Sequence, residues 1–489
     1  MLCGRNWRWP GFGFIAGFLM NRMRLRKTCI PPMAAIGTPS STAWSPTPGM
    51  PVTGFGGLGR IRCLRNCMPW LRRWGTRRGR GGIRWRLSKL ARGRRRQSSF
   101  YFNRFNWPNG SSCSTIAQRL NNKMSTVKAA VLTAYEQPLE MREFPSLTAA
   151  GPGEAVVRVE IAGICGTDVH LWLGQLNVPL PVILGHETVG RLEVIGAGLT
   201  QDWRGNPLAV GDRVAWASSI VCGECYYCRV KRQPTRCLTR KAYGISYCAD
   251  TAPHLRGGYA EQIHLRAGTA IFRLPESLSS DAVVGAGCAL ATAIHGLERC
   301  PVEWGDTVIV QGTGPVGLAA IAVAKQAGAT KILAIGGPPH RLVLAREFGA
   351  DEVIDIGVVT DAGERQRLAL AFAGGYGADV VIECVGYPNA VNEGIELPRD
   401  GGKFLVLGQY ANAGNISFNP HTITRKQLVV QGSWGFEPRH VDRGLRMLEI
   451  PHWQHLFANE ITARFPLAEA NRALETVKNW SAGKTVLIP

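Results

Sequence analysis

Thr307-Val-Ile-Val-Gln311 runs into Gly312-Thr-Gly314-Pro315-Val316-Gly317 and then into Leu318-Ala-Ala-Ile-Ala-Val-Ala-Lys-Gln-Ala327-Gly328. A β-branched run reads as a strand, the glycines as a turn, and the alanine-rich run with its glycine stop as a helix. A lone GxGxxG is weak, but a strand before it and a helix after it supply the context a dinucleotide site requires. Gly312 and Gly314 allow a tight turn and close backbone approach. Pro315, Val316 and Gly317 open a helix whose free N–H groups can receive a pyrophosphate. The competing reading is a glycine turn in a βαβ unit that binds nothing.

Outward from this stretch, Lys331-Ile-Leu-Ala-Ile335 predicts a second strand, which ends at Gly336, where an acidic ribose-binding residue would normally sit. Without that carboxylate there is neither an acceptor for a ribose 2′-hydroxyl nor a repulsion against a 2′-phosphate, so NAD or NADP is expected. His340 and Arg341 follow closely; Arg341 is a candidate phosphate partner or a member of the solvated face of the next helix. Val308–Gln311, Lys331–Ile335, Asp379–Glu383 and Lys403–Leu407 alternate with helical patterns, which predicts a doubly wound parallel (Rossmann) sheet. Upstream, Glu154–Ile161 and Val189–Ile195 read as strands of a β-rich domain. The spacing of Leu467–Val477 predicts a helix.

Two cysteine-containing constellations lie in that β-rich part. Cys165-Gly166-Thr167-Asp168-Val169-His170, followed by Gly185-His186-Glu187, offers a thiolate, an imidazole and a hydroxyl-to-imidazole proton path. Soft or borderline ligands with one open position are what catalytic zinc needs. Asp168 can orient the ligand imidazole from behind, and Glu187 offers an alternative oxygen ligand. Taken alone, Cys165 and His186 could equally be core residues.

Cys222, Cys225, Cys228 and Cys237 place four thiols within sixteen residues, suited to a closed tetrahedral zinc site that stabilises a lobe and does no chemistry. Disulfides or unpaired thiols are the alternatives. Disulfides would call for an oxidising compartment, of which this part of the sequence gives no sign.

In chain order, the CGTDVH and GHE runs, the cysteine ladder, Cys288 in Gly287-Cys-Ala-Leu-Ala-Thr292, and GTGPVG resemble the zinc-dependent medium-chain alcohol dehydrogenases. The resemblance covers residues from about Met124 to Pro489. It implies that Cys165, His186 and Cys288 hold a catalytic zinc, with Thr167 and His170 as proton relay and Asp168 behind the histidine. It also implies a GroES-like catalytic domain over 124–289 to which 436–489 returns, a dinucleotide-binding domain over 290–435, and a structural zinc in the four-cysteine lobe. The implied reaction moves a hydride between an alcohol, secondary or polyol, and NAD or NADP. A small-molecule substrate, a homo-oligomer (dimer or tetramer) and a cytoplasmic location are expected, with no membrane or nucleic acid. A zinc-free or non-catalytic relative is the rival within the superfamily. Two departures stand out: eight residues rather than the family's usual seven separate Cys228 from Cys237, and Gly336 replaces the acid of NAD-preferring members. The substrate is not readable; Trp172, Trp216, Tyr243, His254 and Cys300 are open candidates for its pocket.

Charge separates the rest. Residues 1–123 carry 24 Lys or Arg and no Asp or Glu, so the formal charge of +22 divides into +24 there and −2 beyond. This leader holds seven of fourteen tryptophans and shows no sustained hydrophobic period. A transit peptide and a basic tail for nucleic acid are competing readings. The preferred one is translated upstream DNA that forms no ordered structure, with the working protein starting at Met124.

Overall fold

The computed structural model describes residues 125–489, so the expectations for the leader lie outside the described residues. Strands β1 (Thr126–Leu132), β2 (Glu140–Pro145) and β3 (Ala155–Ile164) lead into a short helix α1 (Gly166–Trp172). Next come β4 (Val182–Ile183), β5 (Glu187–Ile195), β6 (Arg213–Trp216), β7 (Ser219–Ile220), β8 (Lys241–Ala242), β9 (Gln262–Leu265) and β10 (Ile271–Arg273). The two predicted strands of the β-rich part are β3 and β5, paired antiparallel, so Gly163 lies opposite Glu187. That register sets the GHE run beside the strand that delivers Cys165.

Helix α2 (Ser280–Arg299) opens on Ser279, whose hydroxyl accepts from the Ala282 N–H. It breaks at Gly287 (φ 45°), and its buried residues pack against Ile161 and Val189 of the β-domain as well as Leu318 and Ala320 of the following one. Among the described residues it is the one helix long and apolar enough to cross a membrane, in a part of the chain whose sequence reads as holding no transmembrane run. Burial within the core accounts for that composition. The helix also runs through the border expected at 289/290.

The second half holds β11 (Thr307–Gln311), α3 (Pro315–Ala327), β12 (Lys331–Gly336), α4 (Pro339–Glu347), β13 (Glu352–Asp355), α5 (Ala362–Phe372), β14 (Ala378–Glu383), α6 (Pro388–Gly394), β15 (Pro398–Val406), α7 (His421–Arg425) and β16 (Val429–Gly432). These strands form one six-stranded sheet in the order β13-β12-β11-β14-β15-β16, parallel throughout. Val308, Ile309 and Val310 are fully buried because helices cover both faces of the central strand. The order reverses between β11 and β14, and ligands of such sheets bind in the crevice at that point.

Helices α8 (Pro438–Leu448) and α9 (Pro451–Asn459) share the core of α2 and α3. Only with β17 (Ile461–Pro466) and β18 (Lys484–Ile488) does the chain rejoin the catalytic sheet, β18 pairing with β3; α10 (Ala470–Lys478) is the predicted C-terminal helix. The first two helices after 436 thus pack against α2, with Asp442 of α8 held by Arg204 of the β-domain.

Candidate active site

Cys165 ends β3 and caps α1: its Sγ lies 3.5 Å from the Thr167 N–H, while its own N–H donates to Asp168 Oδ2 at 2.9 Å. This reciprocal cap is why the CGTD sequence folds tightly enough to project a thiol and a carboxylate from one turn. Asp168 is fully buried and reaches Tyr259 Oη (3.0 Å) through Oδ2 and His186 Nδ1 (3.4 Å) through Oδ1. With Nδ1 turned to the carboxylate, Nε2 of His186 is left for the thiols.

The break at Gly287 brings the second arm. A side chain at that position would run into Glu187 Oε1, and only glycine takes its left-handed φ without strain. The turn sets Cys288 at a fresh helical N-terminus, with its Sγ 3.5 Å from that of Cys165 and its N–H donating to Glu187 Oε1 at 2.7 Å. The ligand atoms of Cys165, His186, Glu187 and Cys288 all lie within 4.8 Å of one another.

Burial and mutual contact shift the protonation of these groups. The Cys288 thiol lowers the Cys165 pKa to about 5 by hydrogen bonding to its thiolate, against the desolvation of burial. Burial disfavours a charged His186, yet the Asp168 carboxylate holds it well above the usual histidine range. Glu187 falls to about 2 despite burial because Lys484 lies against it. Both Glu187 oxygens already have protein partners, Cys288 N on one and Lys484 Nζ on the other (2.6 Å). Two thiols and an imidazole fit zinc by donor type and by mutual reach.

The four-cysteine lobe fits an ion in the same way. Four thiolates about 2.3 Å from one centre stand roughly 3.8 Å apart in a tetrahedron, and Cys222 Sγ lies 3.5 Å from Cys237 Sγ and 4.0 Å from Cys228 Sγ. The chain reaches Cys237 through a wide turn at Tyr226–Val230, Arg232 at φ 52° and a tight turn at Pro234–Arg236.

The glycine turn leaves an open backbone corner where β11 meets α3. Gly312 takes φ 94° at the end of β11, and a side chain on Gly317 would meet the Gly312 carbonyl. Gly314 caps α3 with no side-chain partner, leaving its first N–H groups free, and Pro315 occupies the first helical position with Val316 behind it. Arg341 departs from the solvated-face reading. Its Nη2 donates to the Ala482 carbonyl at 3.0 Å, and its Nη1 lies 3.7 Å from where a Gly314 side chain would start, because the C-terminal segment passes beside α4. At Gly336, a Cβ would stand 2.5 Å from Thr313 Oγ1, which bonds the Gly337 N–H (3.1 Å) and carbonyl (3.2 Å). Thr313 thus fills the space that an acidic side chain would use.

His170 is half-buried with its Nδ1 on Gln175 Oε1, three residues beyond Thr167 on α1. Of the open pocket candidates, Trp216 lines the cavity beside the cluster, together with His186, Cys288, Ser218, Phe436 and Leu445. Trp172, Tyr243 and His254 instead make local contacts to Gln137, Thr269 and Ala249, and Cys300 is buried in the core. Sequence reading missed Tyr259, Lys484 and Thr313. A signal for the kink was available in the glycine immediately before Cys288.

A doubly wound nucleotide-binding sheet joined to a β-domain that carries a thiol–imidazole cluster defines a nicotinamide-dependent, metal-assisted oxidoreductase. The profile of zinc-binding dehydrogenases matches residues 315–449, and that of the alcohol dehydrogenase GroES-like domain matches residues 151–276. The chain is 37% identical over 367 residues to 5-exo-hydroxycamphor dehydrogenase of Pseudomonas putida, covering 74% of this chain and 99% of that protein. It is 32% identical over 342 residues to L-threonine 3-dehydrogenase of Bacillus subtilis, covering 69% and 91%. Among solved structures, an alcohol dehydrogenase from Thermotoga maritima superposes with TM-score 0.71 at 36% identity, over 75% of this chain and 100% of the other. A zinc-binding dehydrogenase from Sinorhizobium meliloti bound to NADP superposes with TM-score 0.64 at 27% identity, again over 75% and 100%. The chain belongs to the zinc-dependent medium-chain alcohol dehydrogenase family, and its reaction is NAD(P)-dependent alcohol oxidoreduction.

Proposed function

We propose that this dehydrogenase carries two zinc ions, one catalytic and one structural, and oxidises secondary alcohols or polyols. The observation that carries this reading is the convergence of Cys165, Cys288 and His186, the last oriented by Asp168. A zinc ion held by these three supplies Lewis-acid polarisation of the substrate oxygen, while a bound nicotinamide supplies the hydride acceptor. The relatives' names support a secondary carbinol, since hydroxycamphor and threonine C3 both bear one.

The chain's own residues do the rest. Asp168 fixes the His186 tautomer and the Cys165 backbone together. Thr167 Oγ1 takes the hydroxyl proton and His170 hands it to solvent, both being partly exposed and three residues apart on one helix. Gly312, Gly314 and Gly317 let the cofactor pyrophosphate approach the α3 N-terminus, with Pro315 and Val316 shaping the turn and Arg341 adding charge beside it. With Gly336 bare and Thr313 occupying the acid's space, NAD and NADP are weakly distinguished. Residues 124–289 with the returning C-terminal strands act as the catalytic domain, and 290–435 as the cofactor domain. A homo-oligomer in the cytoplasm completes the reading; free thiols among the described residues suit a reducing compartment.

Metal analysis should find two zinc ions per chain, and a panel of alcohols with each cofactor should show turnover by the absorbance of reduced nicotinamide. His186→Ala should abolish that turnover while leaving the fold intact. Near-normal turnover by zinc-depleted His186→Ala protein would overturn the assignment.

A further inference from the structure

Three segments that are distant in sequence meet beside the metal cluster. Tyr410, after β15, stacks on Trp434, after β16, with ring centroids 5.6 Å apart and planes 9° from parallel. On the cysteine lobe, Arg240 places its guanidinium 5.0 Å from the Trp434 ring centroid, and Arg236 does so at 5.3 Å. Two residues beyond Trp434, Phe436 lines the cavity that His186 and Cys288 also line. The column therefore runs from the edge of that cavity out to the lobe.

Its charge is unbalanced. Arg240 is half-buried and its Nε is shut off from solvent, yet its guanidinium has no hydrogen-bond or carboxylate partner among the described residues. Its Nη2 lies 3.6 Å from where a Gly435 side chain would begin, so the lack of one leaves the guanidinium edge open. Arg213 donates to the carbonyls of Pro275 and Leu278, and Arg365 to Glu393, whereas Arg256, stacked 4.8 Å over Tyr247, resembles Arg240 in having no acceptor among the described residues. Cation–π stacking holds Arg240 flat against Trp434 but uses none of its N–H donors. A guanidinium presented this way is pre-organised for a bidentate oxyanion.

We infer that Arg240, backed by Trp434 and flanked by Arg236 and Tyr410, is a specificity site for an oxyanion carried by the alcohol substrate, a carboxylate or a phosphate. This rests on the dehydrogenase reading above and narrows its substrate class. The carbinol lies at Cys165, His186 and Cys288, and the anionic end is held at the mouth of the cleft. A neutral alcohol leaves the Arg240 donors without a partner. The competing role for Arg240 is to offset the negative charge of the four thiolates at Cys237 and its neighbours.

The test compares two matched pairs, 2-butanol against 3-hydroxybutyrate and 1,2-propanediol against its 1-phosphate, in the zinc-loaded enzyme. Wild type should favour an anionic member by kcat/KM, and whichever pair shows it separates carboxylate from phosphate. In Arg240→Gln the anionic-to-neutral ratio should fall roughly 10- to 100-fold, through KM, as expected for losing a charged hydrogen-bonding partner. Arg240→Lys should recover part of that ratio. A ratio unchanged in Arg240→Gln overturns the proposal, as does a variant that loses lobe zinc and melting temperature while keeping the ratio. Turnover of the neutral alcohols with no anion preference defeats this inference alone. Absence of turnover across both pairs defeats the dehydrogenase reading and this one with it.

Discussion

Lys484 and Glu187 stand 297 positions apart in the chain and 2.6 Å apart in the fold, each side chain 1% exposed. Their pairing fastens the last strand to the metal site, because the second Glu187 oxygen accepts from the N–H of Cys288. The glycine kink, the carboxylate and the C-terminal lysine therefore act as one unit that sets where the Cys288 thiol sits.

Breaking that unit should be costly. Lys484→Met leaves a carboxylate buried without its partner, a change that destabilises by about 3–5 kcal/mol. Adding Glu187→Gln should restore part of the loss, since the carboxylate that Lys484 contacts directly is then neutral. Urea unfolding of both variants measures this, and additive losses in the double variant would count against the coupling.

Cofactor choice depends on two positions together. Gly336→Asp alone forces its Cβ against Thr313 Oγ1 at 2.5 Å, so it should lower stability without a clean gain in selectivity. Thr313→Gly combined with Gly336→Asp opens the space and should shift kcat/KM toward NAD by at least about tenfold, through a new ribose acceptor and a repulsion against phosphate. Equal NAD-to-NADP ratios in wild type and the double variant would refute this.

Much of this architecture was legible from short-range pattern. The strand–glycine–helix run and the alternation after it gave the parallel sheet, because each element declares itself within about ten residues. Cys165, His186, Cys288 and the four-cysteine ladder were legible through the resemblance and their donor chemistry. What escaped were groups whose meaning depends on a distant partner. Nothing near Lys484 announces Glu187, nothing near Thr313 announces that it fills the space beside Gly336, and Arg341 turns inward only because Ala482 passes beside it. The border expected at 289/290 falls inside helix α2, because both ends of that helix share one core drawn from both halves of the chain, a fact that periodicity does not carry.

The lobe should respond to substitution differently from the reacting cluster. Cys225→Ser removes one of four thiols that lie within 4.8 Å of one another, so the lobe should lose its ion and the protein several degrees of melting temperature. Zinc content should drop by one ion per chain in Cys225→Ser and by the other in Cys165→Ser. A Cys225→Ser protein with unchanged zinc and melting temperature would remove the structural role.

Acid should weaken the fold through a buried histidine of α8. His440 is fully buried in α8, where Nδ1 accepts from the Glu437 N–H (2.9 Å), Nε2 lies 3.3 Å from Glu298 Oε2, and the His295 ring centre is 4.6 Å away. That arrangement calls for the neutral ring protonated on Nε2. Burial first, then the neighbouring His295 and Arg439, push its pKa down to about 4. An unfolded histidine titrates near about 6.5. Between these values the unfolded chain binds a proton that the folded chain does not, so stability rises with pH across this window and is lost as pH falls through it. The contribution is complete above about 6.5 and has dropped by on the order of 3 kcal/mol once both states are protonated. His440→Gln can still accept from Glu437 and donate toward Glu298 but does not titrate. Urea unfolding at a series of pH values from about 4 to about 7 should therefore show a shallower slope for His440→Gln than for wild type. Identical slopes would place the acid sensitivity elsewhere.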